Sequence, residues 1–142
     1  MSIFWSQHYH NLLRQSVNKA DWTAHSDTFV LNGVSTQQEN IADNGGMSLS
    51  YIAYQDWVKR NLPEPTLPGL NYSSTPLFWI SAASTFCEKE TPEFMRNLIA
   101  TDSHSIPEFR VIGPNSNRPE FAEDFNCLPG SAITPDEKCL LW

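Results

Sequence analysis

The sequence predicts a mainly α-helical chain, and three observations carry that reading. Apolar and small residues recur at helical spacing from about Gln37 to Arg60, five proline-marked signals start further helices, and 40% apolar with only 18% charged residues suits a packed core. A length of 142 residues is enough for one domain, taken here as residues 1–142.

The elements follow in order. Trp5 to Lys19 gives one helical face from Leu12, Leu13 and Val17, and Phe29-Val30-Leu31 before Asn32-Gly33 reads as a short strand entering a turn. The longest helix carries its apolar or small residues at 41, 42, 45, 46, 49, 52, 53 and 57, a broad stripe that predicts a central, buried helix. Gly45 and Gly46 each cost roughly 1 kcal/mol against alanine inside a helix, which is tolerable where a second backbone approaches closely. Tight packing is expected there. Leu62 to Asn71, with Pro63, Pro65, Pro68 and Gly69, is expected to be an ordered surface loop between helical parts of the same domain. Leu77 to Cys87 reads as a buried helix. Short helices are announced at Thr75-Pro76, Thr91-Pro92-Glu93, Ile106-Pro107-Glu108, Arg118-Pro119-Glu120 and Thr134-Pro135-Asp136. Proline suits a first helical position, where no donor is lost, and an acid suits the positive helix end.

Composition narrows the partners. Sixteen acidic against nine basic residues give a net charge of -7, which repels nucleic-acid phosphates and anionic lipid headgroups alike. The apolar run from Leu77 to Cys87 is shorter than the ~20 residues that span a bilayer, so no membrane segment is expected. Met1 to His10 has no basic region, and no secretory signal is visible. Cys87, Cys127 and Cys139 are an odd number with neither zinc-knuckle nor redox spacing. The Asn71-Tyr72-Ser73 sequon points toward a secreted ancestry.

The most informative stretch is Glu39-Asn40-Ile41-Ala42-Asp43-Asn44-Gly45-Gly46. Glu39 and Asp43 lie one helical turn apart, so both carboxylates share a face near the amino end and can address one ion. Thr36-Gln37-Gln38-Glu39 also matches a capping box, in which Glu39 returns a hydrogen bond to the backbone of Thr36.

Four further segments occur in order with that stretch: Leu67-Pro68-Gly69-Leu70, Thr101-Asp102-Ser103-His104-Ser105, Phe109-Arg110-Val111-Ile112-Gly113 and Cys139-Leu140-Leu141-Trp142. Together they resemble the neprilysin and endothelin-converting enzyme family of zinc metalloendopeptidases, from about Trp5 to Trp142. The resemblance implies the carboxyl-terminal portion of a thermolysin-like (zincin) domain, with peptide substrates and zinc as the family's cofactor. It implies that Glu39 is a zinc ligand completing a two-histidine, one-glutamate set, and that Asp43 accepts a hydrogen bond from a zinc-bound histidine. It implies that His104 stabilises the oxyanion of the tetrahedral intermediate and that Arg110 grips a substrate carbonyl; Asp102, two residues before His104, is placed to orient its ring. Apart from the resemblance, Arg110 reads as a surface ion pair and Asp102 as the cap of a following turn. Family members are membrane-anchored ectodomains or secreted proteins.

The departures are as informative. No His-Glu-x-x-His occurs in the chain, and the 38 residues before Glu39 are too few to hold that motif at the family's spacing. His8 and His10 point to different helix faces, and they and His25 read as solvated. Zinc is therefore expected to bind weakly or not at all here, and hydrolysis by this chain is expected to be negligible. The family partners of the three cysteines are likewise missing, so all three thiols are expected to be free. Apolar surface around Ile41, Gly45 and Leu49 should be uncovered without the zinc-motif helix, giving self-association. A competing reading is a non-catalytic truncated paralogue acting as a binding or decoy module.

Overall fold

The structure, a computed structural model, describes residues 31–139 except 63, 132 and 137. The helix expected at Trp5 to Lys19, residues 29 and 30 of the expected strand, and His8, His10 and His25 lie outside the described residues. Five helices are present and no strand is found among the described residues: α1 Gln37–Arg60, α2 Ser74–Ser84, α3 Pro92–Thr101, α4 Pro107–Ser116 and α5 Pro119–Asp124.

Local chemistry explains most of these boundaries. Pro92, Pro107 and Pro119 each open a helix, followed by Glu93, Glu108 and Glu120 in the first turn. Thr91 adds a side-chain cap by accepting the Phe94 N–H at 3.2 Å. Helix α1 ends on Lys59 and Arg60, whose charges favour the negative helix end. Helix α5 stops in a Schellman turn: Asn126 takes φ 52°, its N–H donates to Glu123 O, and the Cys127 N–H donates to Ala122 O at 2.9 Å.

Thr134-Pro135 starts no helix. The Thr134 carbonyl, which would have to accept an N–H four residues on, instead accepts the Gly130 N–H at 3.1 Å and closes a turn. Its hydroxyl is also occupied, donating to Leu128 O at 2.7 Å.

The core sits in two apolar clusters. Tyr51 of α1, Trp79 of α2 and Phe121 of α5 form the larger, joined by Met47, Phe78, Phe125, Cys127 and Ile133. The Tyr51 and Trp79 rings stack with centroids 4.6 Å apart, and Trp79 meets Phe121 edge-on at 5.6 Å. One carboxylate oxygen of Asp124 accepts both the Trp79 indole N–H at 2.7 Å and the Tyr51 hydroxyl at 3.1 Å. Leu31 and Phe109, with Ile99 and Ile106, form the smaller cluster.

Helix α1 is central, yet its buried stripe is not the expected one. The residues it buries are Asn40, Asn44, Gly45, Ser48 and Tyr51. Thr36, Asn40, Asn44 and Ser48 follow a four-residue step, so a polar stripe faces α4 and the segment after it. Each of these groups is satisfied: Asn117 Nδ2 donates to Asn44 Oδ1 at 2.8 Å, and Arg118 Nη1 donates to Ser48 Oγ at 2.9 Å. The apolar stripe lies outward, with Leu49 61% and Ile52 51% exposed. Ile41 is half-buried and Gly45 buried. Among the described residues nothing packs tightly against Gly46, since none lies within 4 Å of where its Cβ would stand.

One other expectation needs correction. Helix α2 buries only Pro76 and Trp79 and leaves Ile80 at the surface, so Leu77 to Cys87 is a half-exposed element. The described residues of the loop after α1 are exposed, its leucines included, as a surface loop requires, and so are all three residues of the Asn71-Tyr72-Ser73 sequon. Cys87 is exposed, Cys127 half-buried and Cys139 buried, and no disulfide joins them.

Candidate active site

The capping box does not form. Thr36 is buried and its hydroxyl donates to Asn32 O at 3.3 Å, so it makes no cap to the α1 backbone. Glu39 is thereby released, and its Oε2 stands 3.2 Å from His104 Nε2.

His104 arrives from the loop between α3 and α4, and Asp102 shapes that loop. Asp102 Oδ1 accepts the His104 backbone N–H at 2.8 Å, an Asx turn, and lies 2.9 Å from His104 Nδ1. Asp102 is therefore both the cap of the turn and the partner of the ring. The backbone hydrogen bond first, and the ring contact second, hold its carboxyl below the usual carboxylate range. His104 stands between two carboxylates. A neutral imidazole can donate to only one of them at a time, whereas an imidazolium donates to both.

One turn along α1, Asp43 meets Arg110 of α4. Nε donates to Oδ2 and Nη2 to Oδ1, both at 2.8 Å, a side-on bidentate pair that is mostly buried. The hydrogen bonds to Asp43 push the Arg110 guanidinium above its ordinary value. The guanidinium carbon also lies 4.8 Å from the Phe86 ring centroid, over its face. Two N–H groups are used on Asp43, and Nη1 stays outside that pair. Asp43 keeps accepting capacity as well, because each carboxylate oxygen has a second lone pair.

Of these side chains Asp43 and Arg110 line a groove of about 860 Å³ that runs beside α1, past Gly46, Ser50 and Tyr54, with α2 along its other wall. Thus the structure brings Glu39, His104 and Asp102 into one chain of contacts and Asp43 with Arg110 into another. As a zinc site the donors are insufficient: among the described residues no group of three or more His, Cys, Asp or Glu is placed to hold a metal ion.

Sequence reasoning passed over Phe86, beneath Arg110, and the buried pair Asn40 and Ser105, whose side chains meet at 2.7 Å. The signal for Asn40 is the four-residue polar spacing 36, 40, 44, 48, which matches one helix face as well as the apolar positions match another. Phe86 carries no comparable mark.

Comparison with known proteins supplies the context. The family model for peptidase family M13 matches residues 6–141. The chain is 46% identical over 122 residues to neprilysin-2 of Drosophila melanogaster, covering 86% of this chain and 16% of that protein. It is 49% identical over 112 residues to endothelin-converting enzyme 1 of Bos taurus, covering 79% of this chain and 15% of that protein. Among solved structures, the open-state zinc metalloprotease Zmp1 of Mycobacterium tuberculosis matches 99% of this chain and 21% of its own, with TM-score 0.81 and 26% identity. The Haemonchus galactose-containing glycoprotein complex matches 93% of this chain and 23% of its own, with TM-score 0.76 and 33% identity. This chain therefore spans about one sixth of the length of the curated relatives it matches. Its helices are a mainly α part of the zincin fold. From a matched family model over nearly the whole sequence and relatives at this identity, the chain belongs to peptidase family M13, alongside neprilysin and the endothelin-converting enzymes.

Proposed function

We propose that this chain is the carboxyl-terminal part of the catalytic region of a neprilysin-like zinc endopeptidase, and that in isolation it neither holds zinc tightly nor cleaves peptides. The observation that carries the reading is the convergence at the amino end of α1, where Glu39 meets His104 and Asp43 meets Arg110 within one helical turn. Glu39 is one oxygen donor toward a cation. Two imidazole donors and a general base would have to come from a segment with a His-Glu-x-x-His motif, which these 142 residues do not contain.

The remaining roles follow from donor chemistry. His104, with its ring held by Asp102, can turn a ring N–H from Glu39 toward a negative oxygen developing nearby. Arg110 is anchored by Asp43 on one edge and offers Nη1 to a peptide carbonyl. Asp43, with lone pairs to spare, can accept a second hydrogen bond from an incoming imidazole. The reading also puts the chain on the extracellular side, which the exposed sequon at Asn71 supports.

Zinc titration of the purified chain tests the proposal. Weak, substoichiometric binding that Glu39→Ala leaves unchanged is expected. Stoichiometric zinc that Glu39→Ala removes would overturn the claim that the chain cannot hold the ion unaided.

A further inference from the structure

We infer that Asn40 and Ser105 are positioning residues: their buried side-chain hydrogen bond holds Glu39 and His104 at contact distance. The importance of that contact rests on the functional reading above, while the bond is a matter of geometry. Asn40 directly follows Glu39, and Ser105 directly follows His104. Both are at least nine-tenths buried, and Ser105 Oγ donates to Asn40 Oδ1 at 2.7 Å across 65 residues of chain.

The direction of each bond is dictated by its neighbours. The Thr36 hydroxyl spends its proton on Asn32 O, so its oxygen can only accept from Asn40. Asn40 must therefore present Nδ2 to Thr36, at 3.0 Å, and turn Oδ1 toward Ser105. The amide is locked at both ends, and Ser105 has one possible role, as donor.

Magnitudes decide which contact is cause and which is consequence. The Glu39 and His104 side chains are each more than a third exposed, and water screens an exposed pair of this kind until it is too weak to hold a loop. The Asn40–Ser105 bond is shielded from water, and breaking it strands a buried acceptor without solvent to replace the lost donor, which costs far more than parting an exposed pair. Asp102 cannot set the distance to α1, because it belongs to the same loop as His104 and fixes only the ring's orientation. Distance is set by the cross-link.

The test is an NMR measurement on the metal-free chain, reading the cross-relaxation peak between His104 ring protons and Glu39 side-chain protons together with the thermal midpoint. Ser105→Ala should abolish the peak, and Ser105→Thr, which keeps the hydroxyl, should restore it. Ser48→Ala serves as the comparison, since it removes another buried hydroxyl contact, to Arg118, nine residues and about 13 Å along the helix from Glu39. It should lower the midpoint while leaving the peak intact. Thr36→Val, which frees the Asn40 amide to turn without touching Ser105, should weaken the peak and keeps the question answerable if Ser105→Ala does not fold. A peak unchanged in Ser105→Ala or in Thr36→Val, or lost equally in Ser48→Ala, overturns the inference. Neither zinc nor peptide enters the measurement, so failure of the functional reading would show separately, in the zinc titration.

Discussion

Asp43 and Arg110 illustrate how much one side-chain pair decides. Each would be a mostly buried charge without the other, and together they satisfy four polar atoms in one plane while Phe86 covers the guanidinium face. Removing either should cost more than the pair contributes, because the survivor is left desolvated and unpaired. We expect Arg110→Ala and Asp43→Ala each to destabilise by about 1–3 kcal/mol, with the double variant recovering about 1–2 kcal/mol of the summed loss in a urea-denaturation cycle. Strict additivity would show that the pair is not coupled. Glu39 and Asp43 are legible in the sequence from their spacing alone, which puts both on one helix face. The pairing of Asp43 with Arg110 is not, because 67 residues separate them and no local pattern records which chain segment folds back.

Helix boundaries are local chemistry, and they read well. Prolines 92, 107 and 119 stand at first helical positions where their missing donor costs nothing, and Gln37 and Arg60 bound α1 as the spacing indicates. Thr134-Pro135 carries the same mark and starts no helix, since the carbonyl needed for the first turn is committed to Gly130. The buried face of α1 is a tertiary property and reads badly. Apolar periodicity selects the stripe through Leu49 and Ile52, while the described structure buries the polar one, where amide and hydroxyl groups find partners in α4, Ser105 and Arg118.

Tyr51 shows what that packing does to a titratable group. Burial chiefly, and the hydrogen bond to Asp124 next, push its hydroxyl up to about 12 from an ordinary value of 10. Because the folded value is the higher one, the stability linked to this proton is complete below pH 10 and is lost as pH rises toward 12. The loss is roughly 2–3 kcal/mol at 1.36 kcal/mol per pH unit. Alkaline unfolding of Tyr51→Phe should lack that component relative to the parent chain, and parallel curves between pH 10 and 12 would refute the assignment.

At the scale of the molecule, an outward apolar stripe on the central helix needs a cover. Leu49 and Ile52 flank it, in a chain whose relatives are about six times longer. In isolation the stripe should meet its like, giving concentration-dependent association in sedimentation velocity that strengthens with salt as the charge of -7 is screened. The double substitution Leu49→Glu with Ile52→Lys keeps net charge constant and should shift the chain toward monomer, whereas a monomer at every concentration in the parent would remove the stripe's significance. Among the described residues no helix is long and apolar enough to cross a membrane. We propose above that this chain carries only part of a catalytic constellation. Peptide cleavage measured with and without a chelator, on the chain alone and on the chain refolded with an M13 segment bearing His-Glu-x-x-His, decides that proposal. The chain alone should show no chelator-sensitive cleavage, and the pair should show cleavage that Glu39→Ala abolishes; chelator-sensitive cleavage by the chain alone would refute the proposal.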